Sequence, residues 1–143
     1  LGKLAKWLRI LGYDVLYKND YIKDEILEIA EKEERVILTR DTKLARSHKG
    51  KIIFIEDDHF RIQLSEVLKK LNLTPSQKMV FSRCITCNEL IVESSPNEVE
   101  GRVPEYVFKT QRIFFKCPRC QRIYWGGTHK TNMLREIESL KAH

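Results

Sequence analysis

The chain has 143 residues, enough for one ordinary domain and a small appendage with a real apolar core. Its 26 Lys and Arg outweigh 20 Asp and Glu to give a formal charge of +6, and the excess is the same in residues 1–80 and 81–143. That even spread excludes a dedicated basic arm and permits nucleic-acid binding without requiring it. No stretch has the apolar length of a membrane span, and residues 1–11 are interrupted by Lys3, Lys6 and Arg9, unlike a signal peptide. No membrane partner is expected, and the protein is read as soluble and cytoplasmic, where thiols stay reduced.

Leu4, Trp7, Leu8 and Leu11 recur on one face of a helix, with Lys3, Lys6 and Arg9 on the other side and Gly12 at the C-cap. Residues 14–17 follow as a short strand. A second helix is marked by Ile26, Leu27, Ile29 and Ala30, with an acidic face from Glu25 to Glu34. Residues 35–39 and 52–55 are continuous apolar, β-branched runs, the pattern of strands buried in a parallel sheet. Between them residues 41–47 allow a brief helix, and Leu64, Val67, Leu68 and Leu71 mark the next one. The alternation predicts an α/β domain over residues 1–75 with right-handed crossovers.

Leu73 to Gln77 reads as a linker, and residues 76–143 as short strands around cysteines, closed by a helix at Met133, Ile137 and Leu140. Cys84-x-x-Cys87 and Cys117-x-x-Cys120 are the chain's four cysteines. Two matched knuckles bring four thiolates to one tetrahedral Zn²⁺, a closed structural site with no open position for catalysis. The 29 residues between the knuckles exceed a short ribbon insert, so a longer loop or an extra strand is expected there. With four thiols at hand, His129 stays outside the metal set as an exposed loop residue.

Ligands of open α/β sheets bind at the carboxyl ends of the strands. Three acidic groups hold such positions: Asp20 with Asp24 and Glu25, Asp41 after the first buried strand, and Glu56, Asp57 and Asp58 after the second. Convergent carboxylates there favour Mg²⁺ or Mn²⁺, and such ions activate water against a phosphodiester. The same residues also suit helix caps: Asp24 for the second helix, Asp41 for the brief one, Asp57 and Asp58 for the helix near Phe60. Position alone leaves both uses open.

Leu1-Gly2-Lys3-Leu4-Ala5-Lys6-Trp7-Leu8-Arg9-Ile10-Leu11-Gly12-Tyr13-Asp14, Asp24-Glu25-Ile26-Leu27, Ile37-Leu38-Thr39-Arg40-Asp41, Gln63-Leu64, Arg102-Val103-Pro104 and Cys117-Pro118-Arg119-Cys120 with Tyr124-Trp125-Gly126 stand in this order along the chain. Together they resemble the C-terminal RNase domain of the Mut-seven type exonucleases. The resemblance implies a PIN-like parallel sheet flanked by helices and followed by a small zinc ribbon. It also implies a Mg²⁺- or Mn²⁺-dependent RNase in which Asp41 binds the catalytic metal, Thr39 supports it, and Asp24 or Glu25 supplies a second ligand. The family carries a strand with its first catalytic aspartate immediately before the segment matching Leu1, where this sequence starts. A version extended by about ten residues, one strand, is therefore expected to be more stable and more active.

Lys109, Arg112, Lys116, Arg119 and Arg122 lie near Tyr106, Phe108, Tyr124 and Trp125 in sequence, a mixture that can pair phosphates with stacked bases. The expected partner is RNA, bound or oriented by the ribbon. Two alternatives stay open: a non-catalytic RNA-binding module, and a protein-interaction module docking through the ribbon.

Overall fold

Leu4, Leu8 and Leu11 are buried along one face of the first helix, α1 (Gly2–Ile10), as their spacing predicts. The computed structural model describes residues 1–47, 50–76, 78–126 and 128–141, without the side chains at 47, 128–131, 140 and 141. The chain divides into two compact units, Leu1–Trp7 with Leu16–Thr74 and Leu8–Val15 with Pro75–His143, so α1 contributes to both. The second unit thus takes in Leu8–Val15 and Pro75, nine residues that the sequence assigns to the first domain.

In the first unit, α2 (Lys23–Glu33) ends on Glu34 in the left-handed region, and a tight turn leads into β1 (Ile37–Thr39). Ala30 of the helix packs on Ile37 of the strand and on Leu44 of α3 (Thr42–Ser47), joined by Ile26, Leu27 and Ile52. β2 (Ile52–Phe54) pairs parallel with β1, Leu38 opposite Ile53, and α4 (Phe60–Lys70) follows with Gln63, Leu64 and Val67 buried. The helix–strand alternation stands. The parallel sheet has two strands among the described residues, fewer than a PIN-like sheet requires.

Residues 14–17 form no strand. The Val15 N–H donates to Asn88 Oδ1 at 2.9 Å, and the Val15 carbonyl accepts from Arg9 Nε at 2.9 Å. At Val15, side chains satisfy both peptide groups that a neighbouring strand would otherwise take.

In the second unit, β3 (Val92–Ser94), β4 (Phe114–Lys116) and β5 (Ile123–Trp125) form an antiparallel sheet in that order. Between the knuckles lie the expected extra strand, β3, and two short helices, α5 (Pro96–Val99) and α6 (Glu105–Thr110). Val99, Val107 and Phe114 are fully buried together, with Val103, Phe108 and Ile123 against them. So small a cluster between the knuckles calls for a further brace. α7 (Thr128–Lys141) closes the chain with Ile137 buried; the side chains of Leu140 and His129 lie outside the described residues, as does Gln77 of the linker. No described helix is long and apolar enough to cross a membrane.

Candidate functional site

Each knuckle turns on the same set of backbone bonds. Cys84 N–H donates to the Glu89 carbonyl at 2.8 Å and Asn88 N–H to the Cys84 carbonyl at 2.9 Å; Cys117 with Arg122 and Gln121 with Cys117 repeat this at 3.0 and 2.9 Å. The residue after each second cysteine, Asn88 at φ 67° and Gln121 at φ 65°, takes the left-handed conformation that closes the turn. Backbone N–H groups of Cys87 and Cys120 then point at the first sulfur of their own knuckle, at 3.4 and 3.5 Å.

The four sulfur atoms lie within 4.8 Å of one another, and Cys84 Sγ stands 3.7 Å from Cys120 Sγ. A tetrahedron with metal–sulfur bonds of about 2.3 Å has edges of about 3.8 Å, so one zinc-type ion fits the cluster. Cys84 and Cys117 are buried, Cys87 is half-buried and Cys120 is exposed. Burial, then hydrogen bonds with the Cys120 and Cys117 thiols, pushes Cys87 up to about 12, and burial also raises Cys117. At Cys84 burial works upward, but hydrogen bonds from Tyr124 and from backbone amides outweigh it and bring the thiol to about 7. A shared cation would let all four ionise. Four protein ligands would leave such an ion no open position, an arrangement suited to a structural brace.

Tyr124 is the outer support of this cluster. Its hydroxyl donates to Cys84 Sγ at 3.1 Å and accepts the Ile85 N–H at 3.2 Å, and burial with the Cys84 contact raises the phenol well above its usual range. Tyr124 and Phe108 are therefore committed to the second unit's own packing, whereas Tyr106 and Trp125 remain exposed. Among the ribbon's cations, Lys116 meets Glu98 at 2.8 Å, Lys109 meets Glu105 at 2.9 Å and Arg119 meets Glu89 at 3.9 Å. Hydrogen bonds from Lys116 and Ser94, and then the Lys116 charge, hold the Glu98 carboxyl below the usual range.

The first knuckle is also clasped by the chain around Gly12. Arg9, which the helical pattern puts on the solvent side, is 7% exposed; its Nη1 donates to the carbonyls of Ile85 at 2.9 Å and Thr86 at 3.3 Å. Arg83 Nε donates to the Gly12 carbonyl at 3.2 Å, and Asn88 Nδ2 to Asp14 Oδ1 at 2.6 Å. Gly12 has φ +99°, and a Cβ there would come within 2.2 Å of the Met79 carbonyl oxygen, so conformation and close approach both demand glycine. Removing the guanidinium takes the donor from three part-buried carbonyls. Arg9→Ala is expected to cost about 3 kcal/mol of stability in denaturant unfolding, with little recovery in Arg9→Lys, whose single ammonium cannot span the three acceptors.

Asp41 lies just beyond the carboxyl end of β1. Its N–H donates to the Oγ1 of buried Thr39 at 3.0 Å, and its Oδ1 accepts from Lys43 N–H at 2.9 Å and Leu44 N–H at 3.4 Å. It therefore caps α3, and Thr39 holds its backbone. Asp24 sits exposed in the first turn of α2, whose N-cap is Ile22 without a side-chain bond, so Asp24 is not the cap. The N-cap of α4 is His59, not Asp57 or Asp58; Asp57 Oδ1 accepts the His59 N–H at 2.7 Å one step earlier. Arg40 Nη2 reaches the Glu56 carbonyl at 3.3 Å and ties the two strand ends together. Among the described residues, the cysteines form the one group of three or more candidate metal ligands, and the carboxylates do not gather into another.

No curated protein and no solved structure is matched by the chain. With the model of the Mut7-C RNAse domain matching residues 1–137, the chain belongs to that family of nuclease domains.

Proposed function

We propose that the protein is a PIN-like ribonuclease that hydrolyses RNA phosphodiester bonds with Mg²⁺ or Mn²⁺ at Asp24 and Asp41, in a cytoplasmic setting. The α/β part, residues 1–75, would carry the reaction; residues 76–143, braced by Zn²⁺ on the four cysteines, would bind or orient the RNA. Membership of the RNase domain family supports the reaction class. The observation that carries the site is Asp41 itself: both of its capping bonds use Oδ1, so Oδ2 can serve as a ligand while Thr39 fixes the backbone beneath it. A helix that turns tightly into a parallel strand starts near that strand's carboxyl end, and this order of α2 and β1 supports Asp24 as the second ligand. A divalent cation bound there supplies charge neutralisation and a water of lowered pKa. The chain's own part is to present two hard oxygen ligands and to hold them with Thr39 and the Arg40 tie.

A second reading, a non-catalytic RNA-binding module, draws on the carboxylates at that end, which among the described residues do not gather into a group of three or more possible metal ligands. Zinc-loaded protein incubated with single-stranded RNA separates the two. Cleavage that needs added Mn²⁺ or Mg²⁺ is the expected result. RNA that is bound but intact at every Mn²⁺ concentration would replace the enzyme with the binding module, and failure to bind RNA at low or high salt would favour a protein-docking ribbon.

A further inference from the structure

Three rings and two cations gather where α4 begins, directly after the loop that follows β2. The Trp7 and Phe60 rings stack with centroids 5.9 Å apart and planes 23° from parallel, and His59 stacks on Phe60 at 5.4 Å and 15°. Lys3 Nζ lies 5.2 Å and Arg61 Cζ 5.6 Å from the Phe60 centroid. All five residues belong to the first unit. Lys3 and Trp7 are one helical turn apart on α1, and His59, Phe60 and Arg61 are consecutive at the start of α4.

A purely structural aromatic contact between two helices would be buried and apolar. Here Trp7 and Phe60 are only half-buried, while His59, Lys3 and Arg61 are exposed. His59 is also held in one orientation: its N–H donates to Asp57, and its Nδ1 accepts the Arg61 N–H at 3.3 Å, which leaves Nε2–H as the remaining ring donor. Near-parallel rings continue naturally into a nucleobase, and ammonium and guanidinium groups beside them suit the phosphate that each nucleotide brings. Glu56, Asp57, Asp58 and Asp41 stand at the same carboxyl end of the sheet and repel that phosphate, so cations are needed there to hold a polyanion.

We propose that Trp7, Phe60 and His59, with Lys3 and Arg61, form a stacking subsite for a nucleotide of single-stranded RNA beside the carboxyl end of the parallel sheet. The choice of RNA rests on the nuclease reading; the recognition chemistry is π-stacking with phosphate pairing, which tolerates any base.

The test measures binding of a single-stranded RNA oligomer to the full chain without added Mg²⁺ or Mn²⁺. His59→Asn removes a ring while keeping a residue well suited to cap α4, and should weaken RNA binding about ten-fold. Lys3→Gln with Arg61→Gln should lower the slope of log affinity against log salt by about 1.4, two single-strand phosphate contacts. In a Trp125→Phe background RNA should quench the fluorescence of Trp7, the tryptophan that remains. Wild-type affinity and slope in both variants with no Trp7 quenching, or no RNA binding by the wild-type chain, would overturn the subsite. Loss in the variants without cleavage by the wild type keeps the subsite and removes the nuclease, whereas cleavage with unaltered binding does the reverse.

Discussion

Cys117→Ser is expected to unfold the second unit while the first keeps most of its structure. The cluster between the knuckles, Val99, Val107 and Phe114 with a few half-buried neighbours, is too small by itself to offset the ordering of the chain around it. Structural zinc in small modules contributes on the order of 10–16 kcal/mol at neutral pH, more than such a unit could lose and remain folded. Elemental analysis of protein purified without chelators should find one Zn²⁺ per chain. In Cys117→Ser, hydrogen exchange should reach unfolded-chain rates at Asn88 and Gln121 and also at Val15, whose N–H is held by Asn88. Ile37 and Ile55, bonded across the parallel pair, should stay protected. A zinc-free wild-type protein with a protected second unit would refute the brace.

Asp41→Asn should abolish Mn²⁺-dependent RNA cleavage, by about 100-fold or more, while changing stability by less than about 0.5 kcal/mol. Asparagine keeps the Oδ1 acceptor that caps Lys43 and Leu44, and loses only the charge that a metal needs. Asp41→Ala should lose the activity equally and about 1 kcal/mol of stability with it, because the cap goes too. The two variants therefore separate capping from ligation at one residue. Full activity in Asp41→Asn would leave Asp41 a cap and nothing more.

Periodicity longer than two turns was readable from the residues: α1, α2, α4 and α7 all carry it, and the two apolar runs became β1 and β2. The knuckles were readable because cysteine spacing is itself geometric. What escaped depends on partners far along the chain. Arg9 has the look of a solvent-facing helix charge until residues 85 and 86 arrive to accept its protons, and residues 14–17 look like a strand because their pattern reports extension but not a neighbour. Helices α5 and α6 are too short for a hydrophobic period; Ser95 before Pro96 and Pro104 before Glu105 were the signals that could have found them. At the carboxylates, order along the chain shows which residues follow strands, and the cap of α4 shows how little that says about use: His59, the less expected residue, took it.

The clasp on the first knuckle sets an order of events during synthesis. Its bonds join residues 71 to 77 positions apart: Gly12 with Arg83, Val15 with Asn88, Arg9 with Ile85 and Thr86. At about 5–20 residues per second, the carboxyl end of α1 waits roughly 4–15 seconds for the first knuckle to leave the ribosome, while the rest of the unit to which its amino end belongs has already emerged. Closing a loop of that length costs roughly 2 kcal/mol more than closing one of ten residues, so the join should be late and slow even in the finished chain. Until it forms, a buried-type arginine and its carbonyl partners on Ile85 and Thr86 are open to water, and the nascent protein carries a half-set helix that only the first knuckle can complete.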